Sequence, residues 1–229
     1  HERLIEAWKA VGSSSPGRVY FAGLRGCVED YMTVNYLRDT AIQAGLETEY
    51  IDVESIGWNA GRRAFVDVKE RPIAWCFKLS PWEWMQREQF GPYLLNNTCR
   101  WLEPPWKAIL SNKAILPVLW ELFPDSPHLL ECTFEEPSTG NYVKKPIFSR
   151  EGANIQIFQG GQLFMKTEGP YDGPAVYQEI CPLPRFDGRH FACVGSWIVN
   201  GWACGIGIRE DESLITGNTS RFVPHRYRS

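Results

Sequence analysis

Residues 144–155 read KKPIFSREGANI, and the residue types there suit the cradling of an anion. Lys145 closes an apolar, strand-like run, SREGA follows, and the alternating stretch IQIF opens the next strand. If those two strands are neighbours, the small residues Gly152 and Ala153 let backbone N–H groups come close to an anion, with the Lys145 ammonium beside it. The same residues also describe a solvated corner with a lysine next to a proline. Three other places bear on the choice. Lys113 follows a helix break at Ser111–Asn112 and either aims a second ammonium at that anion or is a solvated helix lysine. Gln178–Glu179, in AVYQEICPLP, ends an apolar strand before a proline-punctuated crossover. That is a place for a nucleotide base to meet backbone groups, or an edge strand running into a loop. Arg209 lies between ACGIGI and EDESL. A guanidinium at a strand end clamps phosphoryl oxygens in a bidentate fashion, or pairs with Glu210 or Asp211 at the surface.

The elements that must position these groups follow from hydrophobic periodicity. After an amphipathic first helix and the break GSSSPG, RVYFAGL reads as a buried strand, EDYMTVNYLRDTAIQAGL as a helix ended by Gly45, and ETEYIDVESI as a strand. RPIAWCFKL is a further strand, and PWEWMQREQFGPYLLNN a helix with Pro81 at its first position. This β-α-β rhythm predicts an open α/β unit with parallel strands. From about Trp101 the pattern changes. A long helical stretch, PPWKAILSNKAILPVLWELF, is broken near Ser111–Asn112 and interrupted by Pro117. Beyond it come three hairpin signals, Gly160–Gly161, Asp187–Gly188 and Asn200–Gly201, so antiparallel sheet is expected to dominate. The boundary falls near residue 110.

Composition narrows the function classes. A chain of 229 residues, 44% hydrophobic and 22% charged, is that of an ordinary globular protein. A net charge of −3 and a pI near 5.9 argue against a nucleic-acid or polybasic membrane partner. No apolar run approaches the roughly 18–20 residues of a membrane helix, and HERLIEAWKA is charged where a signal peptide is apolar, so the expected location is cytoplasmic. Seven cysteines, none in a C-x-x-C pair and most in apolar runs, read as reduced core thiols, and the four scattered histidines give no zinc spacing. The ten tryptophans suit core packing or a sugar-stacking surface, with packing the expectation for IAWCFKLSPWEWM and GSWIVNGWACG. No G-x-x-x-x-G-K-[ST] occurs, and GIGI lacks the third glycine of a dinucleotide site.

The runs SNKAILPVLWELFP, VKKPIFSREGANI, VYQEICPLP, GIGIREDESLIT and SRFVPHRY, in this order, resemble the C-terminal part of glutathionylspermidine synthase-like proteins, which are ligases with an ATP-grasp fold. The likeness is nearest to the short bacterial members without the amidase domain, and with FAGLRGCVEDYMTVNYLRD it covers nearly the whole chain. It implies α/β plus α+β architecture: a pre-ATP-grasp-like open α/β region over 1–110, with helix and linker at 1–17, and an ATP-grasp nucleotide-binding region with antiparallel sheet over 111–229. It implies Lys113 and Lys145 at the nucleotide phosphates and Gly152 in the loop that closes over them. Gln178, Glu179, Ile180 and Cys181 fall beside adenine, Leu214 in the apolar cover of the base, and Arg209 at the reacting phosphoryl group.

The implied reaction transfers the ATP γ-phosphoryl group to a carboxylate, and an amine then displaces phosphate to give an amide. The partners implied are ATP, a small-molecule or peptide carboxylate such as glutathione, and a polyamine or other amine. Magnesium is implied as well, but the family's ligands lie in an upstream segment of the type R-x-D followed by an E-N-N run, and E-N-N occurs nowhere in this sequence. The chain is therefore expected to be the C-terminal portion of a longer protein, with no metal ligand of its own and no turnover in isolation. Three other classes fit the same residues. One is a degenerate, non-catalytic nucleotide- or peptide-binding module, another a structural half of an oligomer, and the third a kinase-like transfer to a hydroxyl.

Overall fold

VYFAG carries no charge, so as a strand it must be covered on both faces. In the computed structural model, which describes residues 1–14, 17–96 and 98–226, every one of its residues is buried. Ser15 and Pro16 of the GSSSPG break, Asn97, and Tyr227 to Ser229 of the final motif lie outside the described residues. The chain forms two compact units, one of His1–Ala108 with Val199–Trp202, the other of Ile109–Ile198 and Ala203 onward.

The first unit runs α1 (Glu2–Gly12), β1 (Val19–Gly23), α2 (Val28–Gln43), β2 (Thr48–Asp52), β3 (Gly57–Asn59), β4 (Ala64–Val66), β5 (Trp75–Lys78), α3 (Trp82–Met85) and β6 (Arg100–Leu102). Its main sheet is wholly parallel, in the order β2-β1-β5-β6. Because side chains alternate along a strand, Tyr20, Ala22, Cys76 and Trp101 share one face, against Phe65, Ile73, Trp82 and Leu94. Val19, Phe21, Trp75 and Phe77 share the other, against Trp8 of α1 and Val34 and Ala41 of α2. The Trp8 indole finds the partner that burial demands, donating to Thr40 Oγ1 at 3.0 Å.

The second unit contains α4 (Ile115–Leu122), β7 (Cys132–Thr133), β8 (Tyr142–Pro146), β9 (Gln156–Gln159), β10 (Gln162–Lys166), β11 (Ala175–Gln178), all but the last residue of β12 (Phe191–Val199), all but the first of β13 (Trp202–Asp211), and β14 (Arg221–Val223). Five strands form an antiparallel sheet in the order β10-β9-β8-β11-β7, and three form another, β12-β13-β14. Gly160 and Gly161 both take positive φ, 57° and 76°, as do Asn200 and Gly201, 50° and 82°, so both pairs close two-residue hairpins.

The fold differs from the expectations drawn from sequence at several points. Asp187–Gly188 is not a hairpin. The Asp187 carboxylate accepts the N–H groups of Arg189 and His190, making a local turn between β11 and β12, which belong to different sheets. The helix expected from Pro81 lasts one turn with Pro81 as its N-cap, since Gly91–Pro92 redirects the chain into a 3₁₀ segment, Gly91–Asn96. Pro117 does not interrupt α4. It is the third residue of the helix, where the N–H it lacks would have no partner anyway. The chain does break at 112–114, where Asn112 Oδ1 accepts the Ala114 N–H at 2.9 Å. The short strands β3, β4 and β6 escaped the periodicity. Trp8, Trp75, Trp82 and Trp101 pack in the core, but Trp197 and Trp202 of GSWIVNGWACG are 57% and 70% exposed. Cys76, Cys99 and Cys132 are buried thiols, while Cys181 and Cys204 are exposed.

Candidate functional site

The pairing of β8 with β9, Val143 opposite Ile157, decides which side chains share a face. Period two puts Lys145 beside Val143, and Ile155 and Gln159 beside Ile157. All five line one cleft of about 440 Å³, within the range of small-molecule sites. Lys113, Gly152, Glu179, Ile180, Cys181 and Leu214 line it too, so seven of the nine residues singled out from sequence meet in one place.

The ammonium groups hold the polar end. Lys145 Nζ donates to Gln178 Oε1 at 2.5 Å, and Lys113 Nζ donates to the carbonyl and, at 3.2 Å, to the hydroxyl of Ser149. Among the described residues neither ammonium is paired with a carboxylate. Burial lowers the pKa of both, and for Lys113 the nearby cations Lys145 and Arg150 add to it, bringing it down to about 8. Two half-buried cations without a counter-charge are costly by themselves and favour an anion between them. Gln178 is 8% exposed and absent from the cleft wall, and its side-chain oxygen accepts from the Lys145 ammonium.

The loop after β8 is wound tightly. Glu151, Gly152 and Asn154 take positive φ, 53°, 73° and 54°, and the turn is closed by Ala153 N–H donating to the Arg150 carbonyl at 2.9 Å. The Thr167 hydroxyl accepts the Ile155 N–H at 3.0 Å and donates to the Gly152 carbonyl at 2.5 Å. Gly152 abuts the 215–217 turn so closely that a Cβ there would lie 2.5 Å from the Thr216 carbonyl oxygen.

Arg209 is not in the cleft wall. Its guanidinium donates to the Gly217 carbonyl, not to Glu210 or Asp211, and lies 5.4 Å from the centre of the Phe222 ring. Its Nε–H is buried with no acceptor among the described residues. Thr216, the neighbour of Gly217, does line the cleft.

Sequence reasoning missed the apolar floor. Ile155, Ile157 and Ile215 form a buried cluster with Val143, Ile180 and Leu214 against it. The signal was present, because alternation from Lys145 leads to Val143 and across the sheet to Ile157. It also missed Ser149, 4% exposed, whose position becomes informative only when Lys113 folds onto it.

One group of side chains has the composition of a cation site. Single ligand atoms of Asp187, His190 and Glu210 lie within 4.8 Å of one another. Yet His190 Nδ1 is bonded to Asp187 at 2.5 Å and its Nε2 faces Arg221 at 3.2 Å. Magnesium takes oxygen ligands, and an imidazole already engaged on both sides beside an arginine does not fit it.

Lys113 gives a pH test of opposite signs. Its depressed pKa means that the unfolded chain binds the extra proton between pH 8 and 10.5. The Lys113 contribution to stability therefore rises across that window, and Lys113→Met removes the rise. Anion affinity falls as pH climbs through 8, because the ammonium discharges. Denaturant midpoints across this range, with and without ligand, measure both. Identical slopes in wild type and variant contradict the assignment.

The whole chain, residues 1–228, matches the family model described as glutathionylspermidine synthase preATP-grasp. A Haemophilus influenzae protein named as an acid–amine ligase is 40% identical over 241 residues, 99% of this chain and 61% of that protein. A Crithidia fasciculata trypanothione synthetase is 39% identical over 131 residues, 55% of this chain and 20% of its own length. An Escherichia coli bifunctional glutathionylspermidine synthetase/amidase is 28% identical over 226 residues, 86% of this chain and 36% of its own. The chain thus spans less than two thirds of each of these relatives.

Proposed function

Since the chain belongs to the glutathionylspermidine synthase family, we propose that its second unit is the nucleotide-binding part of an ATP-grasp carbon–nitrogen ligase. Such a ligase joins a peptide or glutathione carboxylate to a polyamine or other amine by way of an acyl phosphate. The first unit, with its parallel sheet, is the pre-ATP-grasp region on this reading, with the boundary near residue 110. The observation that carries the reading is the pair of half-buried ammoniums, Lys113 and Lys145, uncompensated by carboxylates among the described residues, at one end of a cleft with an apolar floor. Phosphates match the first feature and a purine the second.

Each residue then has a physical task. Lys113 and Lys145 neutralise phosphate oxygens in a partly desolvated place, where charge–charge attraction is stronger than in water. Gly152 lets the loop lie close over them. Ile180, Leu214 and the isoleucine floor take the flat faces of the base, while Glu179, Ile180 and Cys181 offer main-chain groups to its edge. The Glu179 N–H is already held by the Glu131 carbonyl at 2.9 Å, which steadies that segment. Arg209, whose buried Nε–H lacks an acceptor, serves the terminal phosphoryl group, a role for which a single arginine is worth ~10³–10⁵ in rate. Magnesium is assigned to no residue of this chain.

A second reading, a binding module without turnover, draws support from Arg209 standing outside the cleft wall. It predicts that Arg209→Ala leaves function untouched, where the ligase reading predicts loss of turnover, measured in a longer chain that includes the metal-binding segment. The first test is thermal melting with ATP. At a hundredfold excess over Kd the nucleotide should add ~2.7 kcal/mol of stability. A melting temperature indifferent to ATP, with or without magnesium, sinks the nucleotide reading.

A further inference from the structure

Arg209 lies near the end of β13, and its guanidinium donates into the ten residues after Glu210. That segment is wound around one carboxylate. Asp211 Oδ1 accepts the Ser213 N–H at 2.9 Å, and Oδ2 accepts the Ser220 hydroxyl at 2.5 Å. The Ser220 oxygen in turn accepts the Gly217 N–H at 2.8 Å, and the Gly217 carbonyl accepts from Arg209 Nη2. The bonds run from Asp211 to Ser220, from Ser220 to the Gly217 N–H, and from the Gly217 carbonyl to the guanidinium, so they meet at one residue. Ser220 is 7% exposed, and its Oγ both donates and accepts, so its single donor is committed to Asp211.

Ladder geometry explains why this clamp reaches Arg209 and not another residue. β13 and β14 pair with Arg209 opposite Phe222 and Glu210 opposite Arg221, so Ser220 immediately precedes the pairing. Any shift of Ser220 moves the start of β14 and the 217 peptide together. The same segment carries Leu214, Ile215 and Thr216 into the cleft wall. The Asp211 carboxylate is held below the usual carboxylate range, chiefly by the Ser220 hydroxyl and then by the Ser213 N–H. It is therefore an ionised, acceptor-only hub.

We propose that Ser220 and Asp211 are positioning residues, which set the guanidinium of Arg209 where it distinguishes a nucleotide with a third phosphate from one with two. This rests on the nucleotide reading of the cleft, and the test separates the two. The first arm needs no ligand. The ¹⁵N-labelled chain should show a slowly exchanging Nε–H signal for Arg209, identified by its loss in Arg209→Lys. That signal should shift in Ser220→Ala and in Asp211→Asn, and return toward its wild-type position in Ser220→Thr, which keeps the hydroxyl. The second arm is calorimetry with ADP and with a non-hydrolysable ATP analogue. Both variants should lose at least fivefold of the preference for the triphosphate while ADP affinity stays within twofold, and Ser220→Ala should add nothing in an Arg209→Lys background.

An Arg209 signal unmoved in both variants overturns the clamp. So does a parallel loss of ADP and analogue affinity, which is what a merely structural role would give. A wild-type chain that binds neither nucleotide while the Arg209 signal moves as expected overturns the nucleotide reading instead, and with it the assigned ligand. Asp211→Asn keeps the shape of the side chain, so it serves should Ser220→Ala unfold.

Discussion

Replacing Lys145 with methionine is expected to abolish most of the stabilisation that ATP confers, with affinity falling at least tenfold. Methionine keeps the aliphatic stem in contact with the cleft and deletes only the charge. A hydrogen bond between charged partners contributes about 1.5–3 kcal/mol, and in a partly desolvated site the loss sits at the upper end. The unliganded chain responds differently. Burial already penalises this ammonium, so the variant gains back its desolvation while Gln178 Oε1 loses its donor. The two effects oppose each other, and the apo melting temperature should move far less than the ATP-induced shift. Parallel melts of wild type and variant, each with and without ATP, read this directly. A variant stabilised by ATP as strongly as wild type would remove Lys145 from the phosphates.

The second large effect is at Gly152. Its φ of 73° strains any residue with a side chain, and the added Cβ of alanine would meet the Thr216 carbonyl oxygen at 2.5 Å, a main-chain atom that cannot swing away. Gly152→Ala should therefore destabilise the chain by about 1–3 kcal/mol, and push the 150–153 loop and the 215–217 turn apart. Because that turn carries Thr216 into the cleft and Gly217 to Arg209, ATP affinity should fall along with stability. Serine at Gly160, whose hairpin position is open around its Cα, is the contrast. It pays for positive φ without the collision and should leave ATP binding alone. Denaturant midpoints and ATP titrations of both variants distinguish the cases. Equal effects on ATP affinity would mean that the close approach at Gly152 is irrelevant to the cleft.

Much of this protein was legible without coordinates. VYFAG had to be a doubly covered strand because it carries no charge, and a parallel sheet follows once a helix separates it from the next apolar strand. Two hairpins were written in Gly160–Gly161 and Asn200–Gly201, since few residue pairs accept two positive φ values in succession. Lysine and glycine at the ends of apolar runs marked the cleft, because residue type and local backbone need are properties of sequence. Only the tertiary structure decided how those residues meet. That Gln178 holds Lys145 instead of lining the cleft depends on the pairing of β8 with β11, Gln178 against Val143, a contact 35 residues apart in sequence order. That Ser149 receives Lys113, and that Ser220 reaches Arg209 through a peptide, depend on loops whose course no period encodes. Asp187–Gly188 made the same point in reverse: a dipeptide specifies a turn, but whether the flanking strands pair is settled by which sheet each one joins. Local preference is written residue by residue, whereas partners across a fold are chosen by the burial and hydrogen bonding of the whole chain at once.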